Sequence, residues 1–407
     1  MTEKTSPAPA SIRGSLGRWF LAPPRPHGEI VTDRTVGFLE LFYDLVFVVL
    51  IAQAAHTLAV DISWQTLGEF AVVFGLVWMA WVNGTLFHEL HGREDGRNRT
   101  LIFAQMLLLG VLGTYVGHAA DSDGAEFAAV FALLLLLLAW QWFTVVRRDS
   151  AEYRRVSLPF LLGVIASALI MGASVFVPSP YRILIWALFL VAWIAWSSAL
   201  FSRDRATSTI PTESVVERFG LFTIIVLGEV VVGVVEGLSE AERGVPATAT
   251  AALALTIGFG LWWNYFDAVG RRLPGTGSRY VLWLFGHLPA TLAIAAAGAA
   301  MVSLIEHSSE EHTSAATSWL LAGAVALALL SVIVIASSLV KARALPSVYR
   351  PIPLVFGSAA LVIMFVGWGA PTPWALALAI VVTLSVGWLV MFIIAARAGT
   401  PIGASGD

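Results

Sequence analysis

Long stretches without a single Asp, Glu, Lys or Arg recur along the whole chain, at 70–87, 100–120, 127–146, 156–181, 183–202, 244–266, 280–305 and 313–340. A helix crossing a bilayer needs about 20 apolar residues, because every backbone polar group must be paired internally where water is absent. Each stretch is long enough for one crossing. Two more segments qualify with a few charges inside them. Phe38 to Val60 carries only Glu40, Asp44 and His56, and Val215 to Val235 carries Glu217, Arg218 and Glu229. Residues 351–396 are uncharged but too long for one crossing, and Gly369-Ala-Pro-Thr-Pro373 breaks them into two. The chain is therefore predicted to be an all-α integral membrane protein of twelve spans. Its 58% hydrophobic and 13% charged content, with a mean hydropathy of +0.81, is far from the roughly 25% charged balance of soluble domains.

The basic residues divide between alternate connections. Five lie before the first span, and Arg93, Arg97 and Arg99, then Arg147, Arg148, Arg154 and Arg155, then Arg271, Arg272 and Arg279 stand in connections that share its side. Only Arg182 and Arg243 fall on the other side, against 22 on the first. By the positive-inside rule both termini are cytoplasmic. Arg outnumbers Lys 22 to 2 and Ala is abundant, a balance typical of GC-rich bacterial genomes, which suggests a bacterial plasma membrane. Residues 1–36 hold Pro7, Pro9, Pro23, Pro24 and Pro26 without an apolar core and read as a disordered cytoplasmic tail rather than a secretory signal. Then come a first six-helix half over 37–202, a cytoplasmic linker over 203–213, a second half over 214–396 and a tail over 397–407. Cysteine is absent, which excludes disulfides and thiolate chemistry.

Short matches suggest an internal repeat. Glu40-Leu-Phe42 is matched by Glu217-Arg-Phe219, Trp81-Val-Asn83 by Trp262-Trp-Asn264, and Arg99 by Arg279, at nearly constant separation. Six helices per half make such a repeat parallel, with its axis along the membrane normal.

Ionisable residues inside spans are costly, on the order of 2.5–3.5 kcal/mol for Asp at a helix centre, and so point to function until a structural role is found. Glu40 and Asp44 are one turn apart on one face, an arrangement that can bind a cation, relay a proton or receive an arginine; Glu40 can also pair with Arg34. Glu217 fits a capping box begun by Ser214. Glu229 lies about 22 Å beyond that cap, too deep for capping to explain it. Gly228 and Gly233 beside it allow close helix approach, which turns the carboxylate inward. Gln53 and His56 lie toward the far end of the first span and His287 near the start of the ninth. Because Gln53 is on the opposite side of its helix from Asp44, the first span is expected to be enclosed by neighbours. These residues, Glu40, Asp44, Gln53, His56, Glu217, Glu229 and His287, form the candidate path for a proton, ion or small solute.

The run His88-Glu-Leu-His91-Gly-Arg-Glu94-Asp95 lacks a specific metal spacing and reads as a solvated, arginine-paired loop, so no metal is expected there. Trp78, Trp81, Trp262 and Trp263 read as interface-belt and packing residues. No phosphate-cradling loop, nucleophile elbow or zincin motif is present, so neither enzymatic activity nor a cofactor is expected. The partners implied are the lipid bilayer and a small molecule or ion, with no nucleic acid.

Two segments, Thr35-Val-Gly-Phe-Leu-Glu40-Leu-Phe-Tyr-Asp44-Leu-Val-Phe-Val48 with Gln53 and His56, and Glu217-Arg-Phe-Gly-Leu-Phe-Thr-Ile-Ile-Val-Leu-Gly-Glu229, resemble the bacterial low temperature requirement A family. Trp78, Trp81, Asn264-Tyr-Phe-Asp267 and His287-Leu-Pro289 extend the likeness over about 30–305. The resemblance implies a multi-span membrane protein linked by name to growth in the cold, with no established biochemistry. Twelve spans, a parallel repeat and buried carboxylates favour a secondary transporter of the proton-coupled kind. The Gly-x-x-x-Asp-Arg-x-Gly-Arg-Arg motif of the major facilitator superfamily is not met. The alternative is a non-transporting membrane factor for cold or envelope stress. Reporter fusions after Arg148 and at the C-terminus should score cytoplasmic and one near Ser122 external; a cytoplasmic signal at Ser122 would overturn the span count of the first half.

Overall fold

A computed structural model describes residues 19–20, 23–26, 36–203 and 211–399. Twelve helices among these are long and apolar enough to cross a membrane. They are α1 (Phe38–Val60), α2 (Trp64–His91), α3 (Gly96–Val116), α4 (Gly124–Val146), α5 (Ala151–Ser174), α6 (Tyr181–Arg203), α7 (Glu213–Glu240), α8 (Val245–Ala268), α9 (Ser278–Glu306), α10 (Ala315–Ser338), α11 (Ile352–Trp368) and α12 (Pro373–Arg397). Two single turns, Lys341–Ala344 and Pro346–Tyr349, lead into α11. The break between α11 and α12 falls where the Gly-Pro cluster places it. Ala370 there has φ 40°, and Pro373 opens α12.

The helix-packing pattern of one half recurs in the other. In the first half α1 packs on α2 and α3, α2 on α4 and α6, α3 on α4, α4 on α5, and α5 on α6. Adding six to each number gives pairs that are also packed together in the second half. Asn83 and Asn264 repeat a local detail as well: each donates its Nδ2–H to the carbonyl one turn back, at 2.9 and 2.8 Å. The two halves nevertheless meet through different faces. α9 packs against α1, α2 and α6, whereas no comparable contact joins its counterpart α3 to the second half. A twofold axis would require both contacts, so the halves are docked heterologously. The central helices are consequently α2 and α9, with 94% and 78% of their apolar windows buried.

α9 reaches the centre because it is narrow. Its run Ala293–Ala300 holds only Ala, Ile and Gly, so neighbouring backbones approach closely. A Cβ on Gly233 of α7 would sit 2.2 Å from the carbonyl oxygen of Gly298, and one on Gly298 would sit 2.7 Å from that of Glu229. Gly228, expected to share this role, has nothing within 4 Å and contributes no such approach.

Several expectations are corrected. Trp78 and Trp81 are not belt residues: both are wholly buried, because α2 is the central helix of the first half. α1 is not enclosed, since Phe42, Leu45 and Val49 lie more than half exposed along one side of it. The run from His88 to His91 is the last turn of α2 rather than a solvated loop, and His88, Glu89 and His91 are buried. Part of the supposed disordered tail is docked against that turn. Arg25 donates from its backbone to the His91 carbonyl at 3.1 Å and from its guanidinium to the Glu89 and Leu90 carbonyls. Apart from 19–20 and 23–26, residues 1–35, including Arg34, lie outside the described residues, as do most of the linker 203–213 and of the tail 397–407.

The α7–α9 contact should not tolerate a methyl group. Gly233→Ala is expected to lower the melting temperature in detergent by several degrees, while Gly228→Ala, on an open face, leaves it unchanged or raised. Equal melting of the two variants would show that this backbone contact is dispensable.

Candidate functional site

Among the described residues, charged side chains form two sites between α1 and α7, at different depths. In the first, Asp44 Oδ1 accepts one hydrogen bond from Arg218 Nη2 at 2.7 Å and another from Trp81 Nε1 at 2.9 Å. Asp44 and Arg218 are both completely buried. Trp81 is fixed in turn by stacking on Phe222, centroids 4.0 Å apart, and by edge contact with Phe219 at 4.8 Å. Asp44 Oδ2 and the Nε and Nη1 of Arg218 have no hydrogen-bond partner among the described residues. Glu40, one turn below, is buried, accepts from the Gly37 N–H at 3.4 Å, and lies close enough for its charge to act on Arg218. Of the three chemistries open to the Glu40–Asp44 face, the one present is receipt of an arginine.

The start of α7 is also capped differently from the expectation. Thr212 is the cap, accepting from the Val215 N–H at 3.2 Å. The hydroxyls of Thr212 and Ser214 donate to the two oxygens of Glu89 at 2.7 and 2.8 Å, which ties the end of α2 to the start of α7. Ser214 is thus engaged by Glu89 instead of heading a capping box. Glu217 is half-buried and has no ion-pair partner among the described residues.

The second site is a lateral groove of about 560 Å³ between α1, α7 and α9. Gln53 and His56 from α1 face Glu229, Glu236 and Ser239 from α7 across it, and Gly298 and Val302 of α9 line it too. His56 Nδ1 is paired with Glu236 Oε1 at 2.9 Å, a contact with substantial solvent exposure. Glu229 is 4% exposed, and its Oε1 has no hydrogen-bond partner among the described residues. The close backbone approach at Gly233 and Gly298 holds the carboxylate in place. Glu229 and Glu236 are seven residues apart, two helical turns, and so share a face. The groove lining carries two carboxylates, one imidazole and no Lys or Arg among the described residues.

His287 belongs to neither site. Its Nδ1 faces the Trp283 carbonyl at 2.6 Å and its Nε2 the Tyr265 hydroxyl at 2.9 Å. A nitrogen facing a carbonyl must carry the proton, so the other accepts from Tyr265 and the imidazole is satisfied as a neutral bridge. Sequence reasoning missed Arg218, Glu236 and Glu89. The positive-inside count places Arg218 on the flank of its span, although it directly follows Glu217 in the most distinctive motif. Glu236 repeats Glu229 at helical spacing but sits near the end of the span, where carboxylates are common.

Fold and sites together describe a polytopic helical membrane protein with charged groups held inside its bundle. The family profile for the bacterial low temperature requirement A protein (LtrA) matches residues 35–384, and the chain belongs to that family. It is also 26% identical, over 277 residues, to the uncharacterized protein RA0937 of Rhizobium meliloti (strain 1021), an alignment covering 63% of this chain and 67% of that protein.

The buried pair makes an asymmetric demand. Removing one member of a buried ion pair costs about 3–5 kcal/mol, whereas replacing both by apolar groups is near neutral. Asp44→Asn should therefore melt well below the native protein, and Asp44→Leu combined with Arg218→Leu should regain most of the loss. A double variant no more stable than Asp44→Asn would assign the pair a role beyond mutual neutralisation.

Proposed function

We propose that this protein is a proton-coupled secondary transporter of the bacterial plasma membrane, with both termini cytoplasmic and the groove between α1, α7 and α9 as its outer vestibule. The observation that carries this reading is the Glu229 carboxylate, almost wholly buried yet lining the groove with one oxygen unpartnered. A proton carrier must exist in charged and neutral forms, and a carboxylate with no fixed cation beside it is not locked to a permanent partner in either. Asp44, by contrast, has a fixed cation beside it, since its Oδ1 accepts from both Arg218 and Trp81. The acidic lining favours a solute that brings positive charge or hydrogen-bond donors, which would compete with the proton for Glu229. His56 and Glu236 stand above it as the exposed pair that such a solute would part.

A second reading, a non-transporting membrane factor for cold or envelope stress, draws support from the Asp44–Arg218 pair and from Glu89, whose contacts lock helices of the two halves together. Uptake into proteoliposomes under an imposed pH gradient, screened over amines, inorganic cations and neutral metabolites, separates the two. Under the transport reading Glu229→Gln keeps the native melting temperature and loses gradient-driven uptake. A native protein that moves none of the panel, together with a Glu229→Gln variant that fully complements growth in the cold, would favour the second reading.

A further inference from the structure

The groove between α1, α7 and α9 carries its two carboxylates at two levels, with an apolar wall between them. Glu229 and Glu236 share one face of α7 and stand two turns apart, about 10 Å along the helix. Between those levels the lining is Val232 and Val235 of α7, Ala52 and Ala55 of α1, and Ala299 of α9. At the deep level Glu229 is 4% exposed, and its Oε1 has no hydrogen-bond partner among the described residues. At the shallow level Glu236 Oε1 meets His56 Nδ1 at 2.9 Å in an exposed contact. Ser239 beside it donates to the Glu236 carbonyl at 2.7 Å, which leaves the lone pairs of its hydroxyl oxygen for another donor.

This layout narrows the ligand. A molecule bearing a carboxylate or phosphate meets no cation to pair with, since no Lys or Arg lines the groove among the described residues. One metal ion cannot join acids two turns apart, because oxygen ligands stand about 2.0–2.6 Å from such ions. Among the described residues no three His, Asp or Glu side chains are grouped to hold one. A single ammonium satisfies one acid and leaves the other level empty. We infer that the groove binds a linear aliphatic diamine. One ammonium donates to Glu229, the other displaces His56 from Glu236 and reaches Ser239, and the methylene chain lies along the alanines and valines between. As the identity of the carried solute this rests on the transport reading, whereas binding is measurable without a gradient.

Isothermal titration calorimetry of the full-length protein in phosphatidylcholine nanodiscs tests it, using the diamines from diaminopropane to diaminooctane and the monoamines of matching length. Affinity should pass through a maximum within the diamine series, and at that length exceed the monoamine by about tenfold, as one added charge-assisted hydrogen bond would give. Glu236→Gln should bring the diamine down to the affinity of the monoamine. Glu229→Gln should weaken both, and Glu240→Gln, which removes the same charge one turn beyond Glu236 and outside the lining, should change neither. Affinity that climbs steadily with chain length in both series would reduce the effect to partitioning into lipid. Equal loss in Glu240→Gln would reduce it to net charge, and either result overturns the site. If Glu229→Gln fails to melt normally, Glu236→Gln decides alone, through loss or retention of the preference for diamine over monoamine. A diamine that binds with this profile yet is not driven into proteoliposomes by a pH gradient would sink the transport reading and leave the site. Gradient-driven uptake of another solute, with no diamine bound, would do the reverse.

Discussion

The backbone of α7 lies directly against that of α9 at Gly233 and Gly298, and both intramembrane sites depend on the position this gives α7. In hydrocarbon, burying apolar side chains gains little, because lipid tails are as apolar as leucine; helices associate through close packing and polar contacts. A narrow α9 draws α7 to the centre, and α7 then presents Arg218 to Asp44 at one depth and Glu229 and Glu236 to Gln53 and His56 at another. A bulkier residue at either glycine would push α7 outward and separate the members of both sites together. Arg218 would suffer most, since it has exchanged its hydration for one carboxylate in a dry interior.

The fold was legible because the bilayer imposes a simple rule, and twelve charge-free or nearly charge-free stretches obey it without knowledge of tertiary contacts. The recurring packing pattern left a trace in the sequence for a related reason. Asn83 and Asn264 each satisfy their side chain on their own helix, so their pattern survives whatever the neighbouring helices are. What remained hidden is everything set by which faces meet. Trp81 looked like a belt residue because its sequence neighbourhood is that of Trp262, yet α2 is central, with 94% of its window buried, while α8 has 39% buried. Arg218 looked like a loop arginine because charge counting treats the start of a span as its flank. Only the heterologous docking of the halves turns it toward Asp44.

That asymmetry has a chemical consequence. In the repeat, Leu41 corresponds to Arg218 and Leu221 to Asp44, so a symmetric dimer of halves would set the ion pair against an apolar mirror image. The charges exist on one side only, in the interface that is actually formed. The recurring packing pattern gives the scaffold of helices, and the polar residues that distinguish the halves supply both the fixed charge pair and the acidic groove.

The two sites differ in strength in a way that orders any movement between α1 and α7. Asp44 and His56 are twelve residues apart on α1, about 18 Å along the helix, and Arg218 and Glu236 are further apart on α7, so each helix is latched to the other near both ends. The outer latch, His56 with Glu236, is an exposed contact, and exposed contacts of this kind contribute about 0–1 kcal/mol. The inner latch is fully buried, and separating its members without replacement partners costs several times that. On the transport reading, thermal fluctuation opens the groove end first while the Asp44 end stays closed, which is the sequence an alternating-access device requires of its outer gate. The inner pair yields only when something supplies the solvation it lacks, such as water or solute admitted past a neutralised Glu229. On the scaffold reading the same energies mean that the Asp44 end never opens, and Glu229 is left as a buried acid at the head of a groove that leads nowhere.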